Sequence, residues 1–177
     1  MADFPAGFAQ PDQRSCGAAC LVVARALDEP AYAARVVSAS TFRAEVLAMH
    51  SRTTSLADVT GRLQPPWPRA LGTPPWAVAR QLAGTSGVAH QVQPVRLRDG
   101  EAAYDELVGL PRPAALYVGS SWLPRHVVLV LDGTPDALRV YEPSRGVVVT
   151  VGRERFVEHR LALAGWDTRW FSVLPER

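Results

Sequence analysis

Gly17-Ala-Ala-Cys-Leu-Val-Val-Ala-Arg-Ala-Leu27 is a run of strong helix formers, and Asp28-Glu29-Pro30 closes it, since proline lacks the N–H that continues the ladder. Ser15 stands just ahead of it as an N-cap candidate. Moving toward the C-terminus, a second helical stretch is expected over about 31–50, broken near Ser38-Ala39-Ser40. Gln64-Pro-Pro-Trp-Pro68 suits neither a helix nor a central strand, so 51–73 reads as a loop. A short helix over 74–82 then begins with proline in its first turn.

After Gly87 the pattern changes. Residues 88–95 alternate apolar and polar, as a half-buried strand does, and 101–110 has a short amphipathic helical pattern. Strands are expected at 114–118, 126–131, 138–141, 147–151 and 169–174, with turns at Gly119-Ser120, Asp132-Gly133 and Ser144-Arg145-Gly146. Residues 156–163 read as one more helix. Helices first and an antiparallel sheet afterwards define an α+β domain, with the N-terminal helix against the sheet and a cleft between the halves.

Composition narrows the function class. A chain of 177 residues with 47% hydrophobic and 20% charged content fits one soluble globular domain, here 1–177. The net charge of +2, without a basic cluster, argues against nucleic acid. No apolar run approaches the ~20 residues that span a bilayer, so no membrane partner is expected. Met1-Ala2-Asp3-Phe4 has neither a basic n-region nor an apolar h-region, so the expected location is cytoplasmic, with leaderless export left open. All 19 basic residues are arginine. A protein delivered into another cell as an effector or toxin would gain from lacking lysine-directed degradation tags. Isoleucine and asparagine are absent too, however, and a GC-rich genome accounts for all three absences at once.

Cys16 and Cys20 are too few and too close for a disulfide framework, and an i,i+4 bridge on a helix would be strained. Cys-x3-Cys without a second pair is a poor zinc signature, so neither a metal nor a cofactor is expected. Cys20 falls inside the apolar run and reads as core. Cys16 falls where a polar loop becomes the first helix, where unpaired N–H groups carry roughly half a positive charge and favour a thiolate. Gly17 lets a substrate carbonyl approach the backbone without a Cβ in the way, and the Cys16 N–H can face a developing oxyanion.

A thiolate nucleophile needs a base, and the base an orienter. His126 opens the apolar strand His126-Val-Val-Leu-Val-Leu131 and is the best placed of four histidines; His50 and His159, on expected helices among charges, read as solvated, and His90 points either way. Glu142 follows sixteen residues later (142 − 126) at the end of the next strand, where a carboxylate can hold one ring nitrogen and leave the other for the thiol. Trp122 lies on the loop before His126 as a candidate substrate-pocket wall, with Trp67 and Trp76 as others; core or loop packing is the competing reading for each.

The segment Gln10-Pro-Asp-Gln-Arg-Ser-Cys16-Gly-Ala-Ala-Cys-Leu21 resembles the nucleophile signature of the C39-type, bacteriocin-processing-like, papain-fold cysteine peptidases of bacteria. Their second signature, a histidine opening an apolar strand and then an acidic residue, proline and a nearby glycine, is matched by His126 to Leu131 and Tyr141-Glu142-Pro143-Ser-Arg-Gly146. The Phe156 to Trp170 stretch is similar to the family's closing segment. The resemblance implies that Gln10 donates its amide to the oxyanion hole beside the Cys16 N–H, with Gln13 as the competitor. Two features depart from it. Glu142 stands where the family usually has aspartate, which shifts the histidine or weakens the orienter. The 110 residues from Cys16 to His126 (126 − 16) also exceed a minimal member, so an insertion is expected around 40–73.

The function expected is hydrolysis of a peptide or amide bond in a peptide or protein substrate, through a Cys16–His126–Glu142 triad and a thioester. The same triad serves an acyltransferase or a glutamine deamidase, and a non-catalytic papain-fold binding module is the third reading. In many relatives the domain is joined to an export ATPase and removes leader peptides; neither a transmembrane nor a nucleotide-binding segment is read here, so that job is not expected. Oligomeric state is open.

Overall fold

The computed structural model describes residues 7–58 and 60–176; the beginning of the polar lead-in, Val59 within the expected insertion, and Arg177 lie outside them. Helix α1 (Cys16–Asp28) is followed by a single turn, α2 (Pro30–Ala33), then α3 (Ala39–Thr53) and α4 (Pro75–Ser86). Ser38 and Thr41 cap α3 reciprocally, which ends the preceding turn and starts a new helix axis. Strand β1 (His90–Pro94) and helix α5 (Gly100–Asp105) come next. Four strands follow: β2 (Ala114–Gly119), β3 (Pro124–Gly133), β4 (Ala137–Glu142) and β5 (Val147–Gly152). A short helix α6 (Arg153–Val157) precedes β6 (Thr168–Pro175). The sheet order is β1-β6-β2-β3-β4-β5 and every pairing is antiparallel. The fold is α+β, with helices packed on a six-stranded antiparallel sheet.

The strand alternation sorts two cores onto the two faces of this sheet. Tyr117, Val127, Leu129 and Tyr141 pack against α1, α3 and α4, whose buried side chains include Leu21, Phe42 and Val78. Leu116, Val118, Val128, Val130 and Val140 face the other way, onto Tyr104, Leu107 and Phe156. Burial on both faces explains why β2 and β3 read as nearly continuous apolar runs. No helix among the described residues is long and apolar enough to cross a membrane.

Two expectations are corrected. The helix over 156–163 stops at Val157, and His159, Ala162 and Ala164 take left-handed backbone conformations. Arg169, 2% exposed, explains the stop: its guanidinium donates to the carbonyls of Phe156 and Val157, and also of Val95 and Arg98. Those carbonyls satisfy a buried cation and fasten two loops beneath the sheet. His50, expected to be solvated, is buried on α3, with its Nδ1 lacking a hydrogen-bond partner among the described residues.

Candidate active site

Cys16 is the first residue of α1 and is 5% exposed. Ser15 occupies the N-cap position but does not cap: its hydroxyl donates to the Asp12 carbonyl at 3.3 Å. The first turn carries no acidic residue either. The helix start at the cysteine therefore keeps its positive end uncompensated by its own side chains. Cys20, one turn on, is sealed in the core with its thiol 3.5 Å from the Val127 carbonyl, and burial pushes its pKa up. Both cysteines are free.

The histidine is aimed by an irregularity in the sheet. Gly119 pairs with Pro124 but Val118 pairs with His126, so Arg125 is an extra residue bulged out of β3. A bulge bends its strand and re-aims the side chain beside it. Across the next ladder Leu129 faces Tyr141, and extending that register sets Glu142 opposite Val128. His126 is then the diagonal neighbour of Glu142 on the same face, within reach of a long side chain.

His126 Nε2 lies 2.8 Å from Glu142 Oε1. The carboxylate is completely buried and can only accept, so Nε2 carries the proton and Nδ1 is left for the thiol. Glu142 Oε1 also accepts from the Ser144 N–H at 2.9 Å; Oε2 accepts from the Ser144 hydroxyl at 2.6 Å and the Arg145 N–H at 3.2 Å. The methylene that glutamate adds over aspartate is thus taken up by the side chain curling onto the turn that follows it. Burial would raise the Glu142 pKa, but these hydrogen bonds and His126 outweigh it and hold the carboxyl at about 2. Burial would likewise lower His126, but Cys16 and the Glu142 carboxylate, which accepts from Nε2, raise it to about 9. Cys16 and His126 line the same cleft, so the helix-starting cysteine and the His126–Glu142 pair stand at one site.

Cys16 and His126 open into a cleft of about 610 Å³. One wall is the segment 67–76, which brings Trp67, Thr73 and Trp76; Phe171 and Leu123 line the cleft as well. The two tryptophans pack edge to face, with ring centres 5.1 Å apart. Tyr117 donates to the Thr73 carbonyl at 2.8 Å and ties this wall to the sheet. Gly17 makes room for the wall rather than lining the cleft: a Cβ there would come within 2.8 Å of Thr73 Cβ. The composition of the loop hinted at this role only through its prolines and tryptophans; the pairing of Gly17 with Thr73 left no sequence signal.

The remaining expected positions fall as follows. Gln10 is held by a backbone bond from its N–H to the Pro143 carbonyl, and its amide donates to the Asp12 carbonyl at 2.6 Å. Its side-chain oxygen is buried without a partner. Gln13 lines the cleft and Gln10 does not. Trp122 is 83% exposed and outside the lining, where its neighbour Leu123 stands instead.

No protein-family model matches the sequence, and no curated protein is similar to it. Among solved structures, a C39-like peptidase of Bacillus anthracis aligns with a TM-score of 0.51 at 10% identity, over 99% of this chain and 96% of that one. The peptidase domain of Streptococcus ComA, a bi-functional ABC transporter of a quorum-sensing pathway, gives a TM-score of 0.47 at 18% identity, over 95% and 96%. The corresponding domain of Streptococcus mutans ComA gives 0.45 at 15%, over 98% and 100%. At such identities the likeness speaks to architecture: this chain shares the papain-like α+β fold of a C39-like peptidase.

Proposed function

We propose that the chain is a single-domain cysteine peptidase, with Cys16 as nucleophile, His126 as acid and base, and Glu142 as the orienter. One observation carries this reading: a histidine bonded at 2.8 Å to a fully buried carboxylate, lining one open cleft with a cysteine that starts a helix. In this mechanism the Cys16 thiol gives its proton to His126 Nδ1 and its sulfur attacks the scissile carbonyl, and the oxyanion is held by the Cys16 N–H and a glutamine amide. The resemblance assigns that amide to Gln10, which would first leave the Asp12 carbonyl. His126 then passes its Nδ1 proton to the leaving amine, and the acyl group remains on sulfur as a thioester. Water, deprotonated by His126, releases the acid and restores the thiol. Glu142 stays ionised throughout and keeps the ring in the tautomer the cycle needs.

The test is a mixture of synthetic peptides incubated with the wild-type protein and with Cys16→Ala and His126→Ala, read by mass spectrometry. The reading expects new termini that add the elements of water and that disappear in both variants. Fragments that persist in Cys16→Ala, or no fragments at all from the wild type, overturn it.

A further inference from the structure

Within the cleft one charge sign is missing. Arg14, two residues before Cys16, and Arg125, the bulged residue before His126, both line it, and among the described residues no aspartate or glutamate does. Both guanidiniums are exposed, and neither makes a hydrogen bond or ion pair with another described residue. Arginines elsewhere are engaged: Arg112 with Asp28, Arg98 with Glu106, Arg153 with Glu101 and Asp105. Asp12, the nearest acid in sequence, is spent on the Arg14 backbone N–H rather than on its guanidinium. The same cleft offers apolar surface from Trp76, Phe171 and Leu123, of which Leu123 stands half out of the protein.

We propose that this cleft docks an acidic peptide segment: apolar side chains against Trp76, Phe171 and Leu123, and carboxylates on Arg14 and Arg125, on either side of the bond presented to Cys16. The proposal rests on the peptidase reading for the meaning of that bond, but the docking itself is separable from catalysis. Arginine suits the role, because its planar fork takes a carboxylate through two parallel N–H bonds. A low-dielectric apolar floor also strengthens the pairing relative to open water.

The experiment measures binding and cleavage side by side. Three pools of fluorescein-labelled ten-residue peptides share one apolar pattern and differ only in carrying glutamate, glutamine or lysine at three positions. Anisotropy gives their affinities for the wild-type protein at 0.05 and 1 M NaCl, and for the Arg14→Glu/Arg125→Glu double variant. The glutamate pool should bind about tenfold tighter than the glutamine pool, as two exposed pairs imply. High salt should erase most of that preference, and the double variant should reverse it in favour of lysine. Equal binding of the three pools to the wild type overturns the proposal, as does an acidic preference that survives in the double variant. Mass spectrometry of the same mixtures separates the two ideas. Tight acidic binding without Cys16-dependent cleavage sinks the peptidase reading and leaves the docking site standing. Cleavage indifferent to charge does the reverse.

Discussion

Replacing Glu142 by glutamine removes one charge from a fully buried site with five donors, and the structure fixes what that costs. The Glu142 carboxyl is held at about 2 against its ordinary 4.5; at about 1.36 kcal/mol per pH unit this is roughly 3 kcal/mol of folding free energy. Because its folded pKa is depressed, that contribution is present above pH 4.5 and is lost as pH falls through about 2. His126 behaves in the opposite sense. Its pKa rises from 6.5 to about 9, so its contribution is whole below pH 6.5 and fades as pH climbs through 9. The two figures describe one shared interaction from its two ends and do not add. Glutamine also turns an NH2 toward the Ser144 and Arg145 donors, so part of the loss is an unsatisfied buried group. Urea unfolding followed by tryptophan fluorescence, repeated from pH 2.5 to 9.5, reads this directly. Glu142→Gln should be less stable than wild type by about 3 kcal/mol at pH 6, with the gap closing toward pH 2.5. A gap below about 1 kcal/mol at pH 6, or one that stays constant into acid, refutes the assignment of this carboxylate as ionised, buried and coupled to His126.

Four further outcomes follow from the same geometry. Cys16→Ala, which removes one of the two groups that raise the His126 pKa, should flatten the decline in stability between pH 6.5 and 9; an unchanged slope in pH-dependent urea unfolding breaks the Cys16–His126 link. Iodoacetamide should label Cys16 with a pH profile that His126→Ala alters, while Cys20 stays unlabelled until the fold opens; mass-spectrometric mapping over time decides this. Gly17→Ala places a methyl 2.8 Å from Thr73 Cβ, so the wall 67–76 must shift; the expected loss is about 1–3 kcal/mol in urea unfolding. Gln10→Ala should lower kcat for a cleaved peptide by about 10²-fold and leave KM nearly unchanged, as loss of an oxyanion donor does; if Gln13→Ala does this instead, the donor is the glutamine that lines the cleft.

The parts of the fold legible in the sequence are those written by short-range rules. Apolar runs and a proline stop bounded α1, and turn residues separated β2 through β5. What escaped was set by contacts between distant residues. The helix expected at 156–163 has helical composition, yet it ends where a buried arginine twelve residues after Val157 claims its last carbonyls. His50 sits among polar neighbours in sequence, yet α3 turns it inward and it is buried. Ser15 is a good N-cap by type, but Asp12 draws its hydroxyl away. At the site, the spacing of Cys16, His126 and Glu142 was readable because two antiparallel strands and a helix start leave few ways to assemble them. The bulge at Arg125 was not, since nothing local distinguishes a bulged residue from a paired one.

That bulge bears on how the cleft divides its labour. The groups proposed to react come from α1, β3 and β4, elements packed into the larger core, with ladder bonds on both sides of β3 and β4. The groups around them come from places the ladders do not dictate: Arg14 from the lead-in, Arg125 from the bulge, and the Trp67–Trp76 wall from the proline-rich segment. The wall meets the helix that carries Cys16, and the strand paired with that of His126, through Thr73 over Gly17 and the Tyr117 hydroxyl on the Thr73 carbonyl. Substitutions at Trp67 or Arg125 therefore act on what enters the cleft, whereas those at Ser144, which holds the Glu142 carboxylate, act on the catalytic groups. In steady-state terms the first class moves KM and substrate preference; the second lowers kcat and shifts its pH profile.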